Sequence, residues 1–175
     1  MGASYYVAIH EADWPAAAAV NECLAGLDYP VRLQTTLIST NAPLRDTDGS
    51  LVAEYKGKLI QLEASIIRFT ATESFAYGLK VENDQTVTPT GINDLAPLDL
   101  NTELRKLGPD VPSFKYGDYV MTLTFRSSVD EWKAGFLLMA GLIRCSNGFG
   151  FEFGELTYGG ISFANRLVRE AAEME

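Results

Sequence analysis

The chain has 175 residues, of which 47% are hydrophobic and 21% charged, a composition that excludes wholesale disorder because enough apolar surface is present to build a core. The length indicates a single domain spanning residues 1–175. Fourteen basic residues against twenty-three acidic ones give a formal charge of -9. A negative field repels phosphate backbones and anionic lipid, so we expect no nucleic-acid or membrane partner.

Several features favour a cytoplasmic protein. The N-terminal segment lacks the basic start and the small-residue cleavage site of a signal peptide. The longest apolar run, residues 134–143, is about half as long as a bilayer span and predicts a buried helix. Cys23 and Cys145 lie far apart in helix-like segments. We therefore expect both thiols to be buried and reduced.

The first forty residues predict a strand, a helix and a second strand. Residues 4–9 alternate as in a strand. Asp13, followed by Trp-Pro, is the expected N-cap of a helix that ends at Gly26. Residues 31–38 again alternate apolar and polar side chains, which is typical of a half-buried strand.

The middle of the chain predicts a β-meander followed by a long loop. Strands are expected at residues 51–55, 59–70 and 75–82, with a Lys-Gly-Lys turn joining the first two. Residues 83–113 contain four prolines and one short helix, which we expect to be capped by Asn101 or Asp99.

A second strand, helix and strand follow. Residues 119–125 alternate, Ser128 and Glu131 form a capping box for a helix reaching Arg144, and residues 149–153 predict a strand. A last helix is expected over residues 161–173. Together the patterns predict an α+β fold with a mainly antiparallel sheet, helices packed on one face, and two strand-helix-strand units in a ferredoxin-like (split βαβ) layout with a β-meander insert.

Catalytic and metal-binding patterns are weak in this sequence. His10 is the only histidine, which excludes sites that need two imidazoles. A neighbouring carboxylate, Glu11 or Asp13, is placed to orient His10 as a base, but no nucleophile is nearby, so a turn-capping role is favoured. Residues 46–50 have the carboxylates of a calcium loop at the wrong spacing, which favours an Asp-Gly turn. We predict no cofactor, no metal and no enzymatic activity.

Residues 148–154 form a segment rich in glycine and phenylalanine. Phe149, Phe151 and Phe153 share one strand face, while glycines leave the other face nearly bare. Two interpretations remain open: a docking surface or ligand floor, or core phenylalanines with glycines that admit a packed helix.

The acidity, with no catalytic pattern, favours a non-enzymatic protein-binding module. An immunity or antitoxin-like protein that neutralises a basic toxin fits these features best. Carboxylates in turns and loops stay solvated until a partner arrives, and they are the expected contacts. The candidate binding residues are Asp46, Asp48, Asp84, Asp94, Asp99 and Asp110.

Two alternatives remain open. The chain is a small-molecule-binding protein or weak enzyme if a pocket forms between the sheet and the 83–113 loop, lined by His10 and four tyrosines, Tyr55, Tyr77, Tyr116 and Tyr119. It is a self-associating structural module, a homo-oligomer, if an uncovered strand edge pairs with its copy.

Overall fold

A computed structural model describes residues 3–34, 44, 50–69, 80–82, 85–87, 97–115, 117–126 and 128–174. These residues form an α+β fold with a seven-stranded antiparallel sheet, a separate two-stranded hairpin and four α-helices. The elements are β1 Ala3–Ile9, α1 Ala17–Gly26, β2 Val31–Leu33, β3 Ser50–Tyr55, β4 Lys58–Arg68, β5 Lys80–Glu82, β6 Gln85–Val87, α2 Pro97–Arg105, β7 Tyr119–Phe125, α3 Val129–Cys145, β8 Phe149–Phe151, β9 Tyr158–Gly159 and α4 Ile161–Glu173.

The order of strands in the large sheet is β2-β3-β4-β7-β1-β8-β9. β1 pairs antiparallel with both β7 and β8, so β7 and β8 are parallel, and α3 connects them across β1. This arrangement is the split βαβ connection predicted for the second unit. Three strands, β7, β4 and β3, separate β1 from β2, so the first unit is spread more widely, and the complete ferredoxin-like layout stays a prediction.

The two faces of the sheet bury different sets of helices. Val7 and Ile9 of β1 belong to a core with side chains of α1, α3 and α4, whereas Ala8 belongs to a second core with α2. Alternation along a strand produces this division. The predicted single-faced packing therefore holds for α1, α3 and α4. The helix α2 covers the opposite face because Leu100 and Leu104, one turn apart, are fully buried there.

The glycines of the β8 segment let the helices approach the sheet closely. A Cβ on Gly148 would lie 2.9 Å from Cγ1 of Val7, and a Cβ on Gly150 would overlap the ring of Phe163 on α4. Phe149 and Phe151 are buried on the α2 face. Of the two interpretations of this segment, the structure therefore supports core phenylalanines with glycines that admit a helix.

The start of α1 differs from the prediction. Asp13 is not the N-cap: it ends a 3-10 turn, Glu11–Asp13, and α1 begins at Ala17 after an N-cap residue, Ala16, that makes no side-chain bond. Trp14 is extended, with φ -69° and ψ 123°. A residue before proline avoids the helical region, so Pro15 prevents Trp14 from continuing a helix out of Asp13.

The other predicted caps give one error and one confirmation. Asn101 is not the cap of α2, because it lies inside this helix, which begins at Pro97. Its side chain bonds the backbone of Phe114 instead: Nδ2 donates to the Phe114 carbonyl at 2.8 Å, and Oδ1 accepts the Phe114 N–H at 2.7 Å. The Ser128 hydroxyl accepts the backbone N–H of Glu131 at 3.4 Å, which confirms Ser128 as the N-cap. The other half of the predicted capping box differs, because Oε1 of Glu131 accepts the N–H of Arg126 and not that of Ser128. Pro97 suits the first position of α2, because the N–H that proline lacks would have no partner within the helix there.

The two cysteines form a disulfide, so the prediction of reduced, buried thiols is wrong. Cys23 of α1 and Cys145 at the end of α3 are joined with a Cα–Cα separation of 6.1 Å, and Cys145 is exposed. Close approach of the two helices makes the bond feasible. A Cβ on Gly141 would lie 2.6 Å from Cδ2 of Leu24, so only glycine allows α1 to pack this near to α3.

Among the described residues, no helix is both long enough and apolar enough to cross a bilayer.

Candidate functional site

A shallow groove lies between β1, α3 and α4, and we call it the α4 groove. It has a volume of about 290 Å³. Helical periodicity creates it: Phe163, Leu167 and Ala171 point into the core, which leaves the flank of α4 beside the groove. The lining residues are Tyr5, Trp132, Phe136, Glu155, Arg166, Glu170, Glu173 and Met174.

The floor of the α4 groove is aromatic. Trp132 and Phe136 are one turn apart on α3, with ring centroids 5.5 Å apart and planes at 78°. Tyr5 of β1 meets both rings, with centroid distances of 6.2 Å to Trp132 and 4.9 Å to Phe136. Edge-to-face contacts of this kind hold the rings in fixed orientations. Among the described residues no cationic group lies over these rings.

The rim of the α4 groove carries net negative charge. Nε of Arg166 donates to Oε1 of Glu170 at 2.9 Å, and Nη2 donates to Oε2 of Glu155 at 2.8 Å. Glu173 adds a third, exposed carboxylate. Three carboxylates against one guanidinium leave two negative charges at the rim. The hydrogen bond to Glu170 raises the pKa of Arg166, so the guanidinium stays protonated.

The charges at the rim also change the pKa of Tyr5 in the floor of the groove. Burial raises the pKa of Tyr5, the negative charges of Glu152, Glu170 and Glu155 raise it further, and Arg166 lowers it in part, which gives a pKa of about 12. The phenol is therefore neutral at physiological pH, and the floor presents an uncharged aromatic surface beside the carboxylates.

A buried carboxylate positions Glu155 at the groove. Glu152, which is 5% exposed, accepts the N–H of Glu155 on both oxygens at 3.0 Å. It also accepts the N–H of Thr157 at 3.1 Å and the Thr157 hydroxyl at 2.7 Å. Burial alone would raise the pKa of Glu152, but these hydrogen bonds, together with one from Gly154, hold it below its usual value. The turn between β8 and β9 is thus organised around an ionised glutamate.

Of the six candidate aspartates, Asp110 is the one whose side chain lies in the described part of the chain. Asp110 is exposed near the end of the 97–115 segment and does not line the groove. Asp99 belongs to α2, but its side chain is outside the described part of the chain. The predictions for Asp46, Asp48, Asp84 and Asp94 also lie outside the described residues.

His10 is oriented by a carboxylate that the sequence argument did not name. Its Nδ1 lies 3.1 Å from Oδ2 of Asp118, whose side chain is fully buried, and its ring stacks on Phe114 with centroids 4.9 Å apart. Asp118 also accepts the backbone N–H groups of Glu11 at 2.9 Å and Lys115 at 2.8 Å. Asp118 therefore ties the end of β1 to the segment before β7. His10 precedes the 3-10 turn but makes no side-chain capping bond, so the turn-capping role predicted for it is wrong, and Asp118 accepts the N–H of Glu11 instead.

Two of the four tyrosines proposed for a small-molecule pocket are described, and both are placed unfavourably for it. Tyr55 and Tyr119 are buried in the core shared with α1 and α3, on the opposite face of the sheet from α2. Tyr77 and Tyr116 lie outside the described residues. Within the described part of the chain, no group of three or more His, Cys, Asp or Glu side chains is placed to hold a metal ion.

Sequence reasoning missed the α4 groove because its parts come from distant segments. One signal was present: Glu170 and Glu173 stand in the last turns of α4, where negative charge opposes the helix dipole. Glu170 is offset by its ion pair with Arg166 one turn earlier, whereas the structure gives Glu173 a place at the rim of the groove.

No protein family, no curated protein and no solved structure matches this chain.

Proposed function

We propose that the chain is a non-enzymatic protein-binding module for a basic partner, in the manner of an immunity or antitoxin-like protein that neutralises a basic toxin. The observation that supports this proposal is the α4 groove, in which the half-buried rings of Tyr5 and Trp132, packed against the fully buried Phe136, lie beside a rim with two net negative charges.

A lysine or arginine side chain is the group that suits such a groove. A cation over an aromatic ring gains about 0.5–1 kcal/mol when exposed and about 2 kcal/mol when desolvated. Carboxylates at the rim supply charge-assisted hydrogen bonds to the same cation. The formal charge of -9 on the whole chain adds long-range attraction, which speeds the encounter with a basic protein.

The size of the groove favours a side chain over a whole small molecule. Its volume of about 290 Å³ lies just below the roughly 300–1,000 Å³ typical of small-molecule pockets. A single inserted side chain fills such a space, and the remaining affinity then comes from the surrounding surface.

Capture of a partner at low ionic strength tests the proposal. The immobilised full chain should retain a basic protein from a native lysate, and salt should release it because the attraction is screened. A variant without the rim charges should lose this capture, and the substitutions are Glu155→Gln, Glu170→Gln and Glu173→Gln.

A matched control separates the groove from overall acidity. A second triple variant removes the same three charges from exposed positions on α1, the turn after it and β3, through Glu22→Gln, Asp28→Asn and Glu54→Gln. This control should capture the partner nearly as well as the unmodified chain. Equal loss in both triple variants, or retention that salt does not change, contradicts the proposal.

A further inference from the structure

An exposed apolar patch adjoins the α4 groove. Phe153, Leu156 and Ile161 are three of the six large hydrophobic side chains that are exposed in the described part of the chain, and all three fall within residues 153–161. Leu156 and Ile161 are 59% and 51% exposed. We call residues 153–161 the Leu156 turn. The ring of Phe153 contacts Tyr6 and Phe151 of the core on the α2 face, which leaves Leu156 and Ile161 as the apolar side chains that the segment exposes beside the groove. Exposed apolar side chains beside polar residues are typical of an interaction surface.

The Leu156 turn and the α4 groove share a border. Glu155 lines the groove, and Leu156 is the next residue of the chain. Arg166 lines the groove and also a second depression of about 290 Å³ that contains Leu156 and Tyr158. The acidic and the apolar contacts therefore lie side by side, within reach of one short segment of a partner.

The backbone of the turn holds Leu156 in a strained conformation. Leu156 has a φ of 58°, a left-handed conformation that glycine and asparagine adopt readily and that leucine avoids. The buried Glu152 carboxylate accepts the N–H groups of Glu155 and Thr157, the residues on either side of Leu156. The hydrogen bonds to Glu152 thus fix the backbone of the turn, while more than half of the Leu156 side chain is exposed.

Leu156 does not stabilise the chain on its own. Its conformation is strained and its side chain is exposed, so a glycine or asparagine would serve the isolated fold better. Strain held by the surrounding structure is a feature of ligand-binding segments.

We infer that the docking surface extends from the α4 groove across the Leu156 turn, and that its occupant is a basic amphipathic segment of a partner protein. Apolar residues of that segment cover Leu156 and Ile161, and a neighbouring lysine or arginine enters the groove between the aromatic floor and the carboxylates. Charge complementarity with the rim selects a cationic segment, and the apolar patch beside it selects an amphipathic one. This inference rests on the proposed function.

Two synthetic peptides of identical Lys and Leu composition test the inference. One peptide places its leucines at helical spacing on a single face, and the other scrambles them so that no apolar face forms. Fluorescence anisotropy with the full chain at low ionic strength should show about tenfold tighter binding of the amphipathic peptide, since burial of one leucine corresponds to a factor of about ten or more.

A Leu156→Asn variant should reduce this preference several-fold, because of the two covered side chains only Ile161 remains. Asparagine accepts the left-handed conformation, so the variant should be at least as stable as the unmodified chain. Leu59→Thr is the control, because Leu59 is 65% exposed on β4 and outside the turn. That control should retain the tenfold preference.

The remaining outcomes separate the two proposals. Equal binding of both peptides to the unmodified chain, with no effect of Leu156→Asn, overturns the inference and leaves the proposed function standing. Equal weakening of both peptides by Leu156→Asn also overturns it, because the turn would then contribute no apolar selectivity. Binding of neither peptide overturns the inference and the proposed function together.

Discussion

Removal of the Cys23–Cys145 disulfide should lower stability strongly. The two cysteines are 122 residues apart in sequence, so the bond closes a large loop in the unfolded chain. In the chain-entropy description, a closed loop of this length stabilises the native state by about 5 kcal/mol at 25 °C. The total stability of a typical domain is about 5–15 kcal/mol, so the bond accounts for a third or more of it.

Urea unfolding followed by tryptophan fluorescence measures this effect. The oxidised chain should be compared with the same chain under reductant and with a Cys23→Ala/Cys145→Ala variant. The two forms without the bond should agree with each other and unfold at a midpoint lower by roughly 2 M urea. Their urea dependence should also be steeper, because an unfolded chain without the bond exposes more surface.

Two controls and one contrary result complete the test. Reductant should leave the double variant unchanged, and thiol titration of the native, unreduced chain should find no reactive thiol. Detection of two thiols, or a difference in unfolding free energy below about 1 kcal/mol, would refute the loop-closure reasoning.

Three further predictions follow from particular residues. Leu156→Gly should raise the free energy of unfolding by about 1 kcal/mol because it relieves left-handed strain, whereas Leu156→Ala should give no such gain in the same denaturation assay. Glu152→Gln should lower the free energy of unfolding most above the unfolded-state pKa of about 4.3. This loss of free energy should become smaller as the pH falls through the lower folded-state pKa of Glu152. A loss that stays constant with pH would contradict this prediction. Gly150→Ala should destabilise by about 1–3 kcal/mol because its methyl group overlaps Phe163, while Gly26→Ala, which meets open space, should be neutral or stabilising by thermal unfolding.

Local patterns predicted most of the elements. Strict alternation in residues 119–125 and the helical spacing in residues 161–173 gave β7 and α4 with the bounds that the structure has. In both segments the regularly spaced apolar residues face the core shared with α3, so their spacing along the sequence predicts whether the segment is a strand or a helix. The start of α1 was wrong because the backbone restriction imposed by Pro15 outweighs the capping preference of Asp13.

The site and the disulfide depend on contacts between distant segments, which local patterns do not contain. Tyr5 reaches Trp132 only because β1 lies between β7 and β8 and α3 crosses over it. Cys23 meets Cys145 only because Gly141 lets α1 approach α3. Pairing of cysteines and convergence of side chains follow from strand order, which the sequence left open.

The central position of β1 has a consequence for biosynthesis. Its hydrogen-bonding partners are far along the chain: Ala3 faces Phe125, and Tyr6 faces Phe151. During translation β1 therefore remains unpaired until those later strands emerge from the ribosome, and folding waits for contacts of long sequence separation. A nascent chain that stalls before residue 119 exposes both edges of an apolar strand, which is the condition under which chaperone binding matters most.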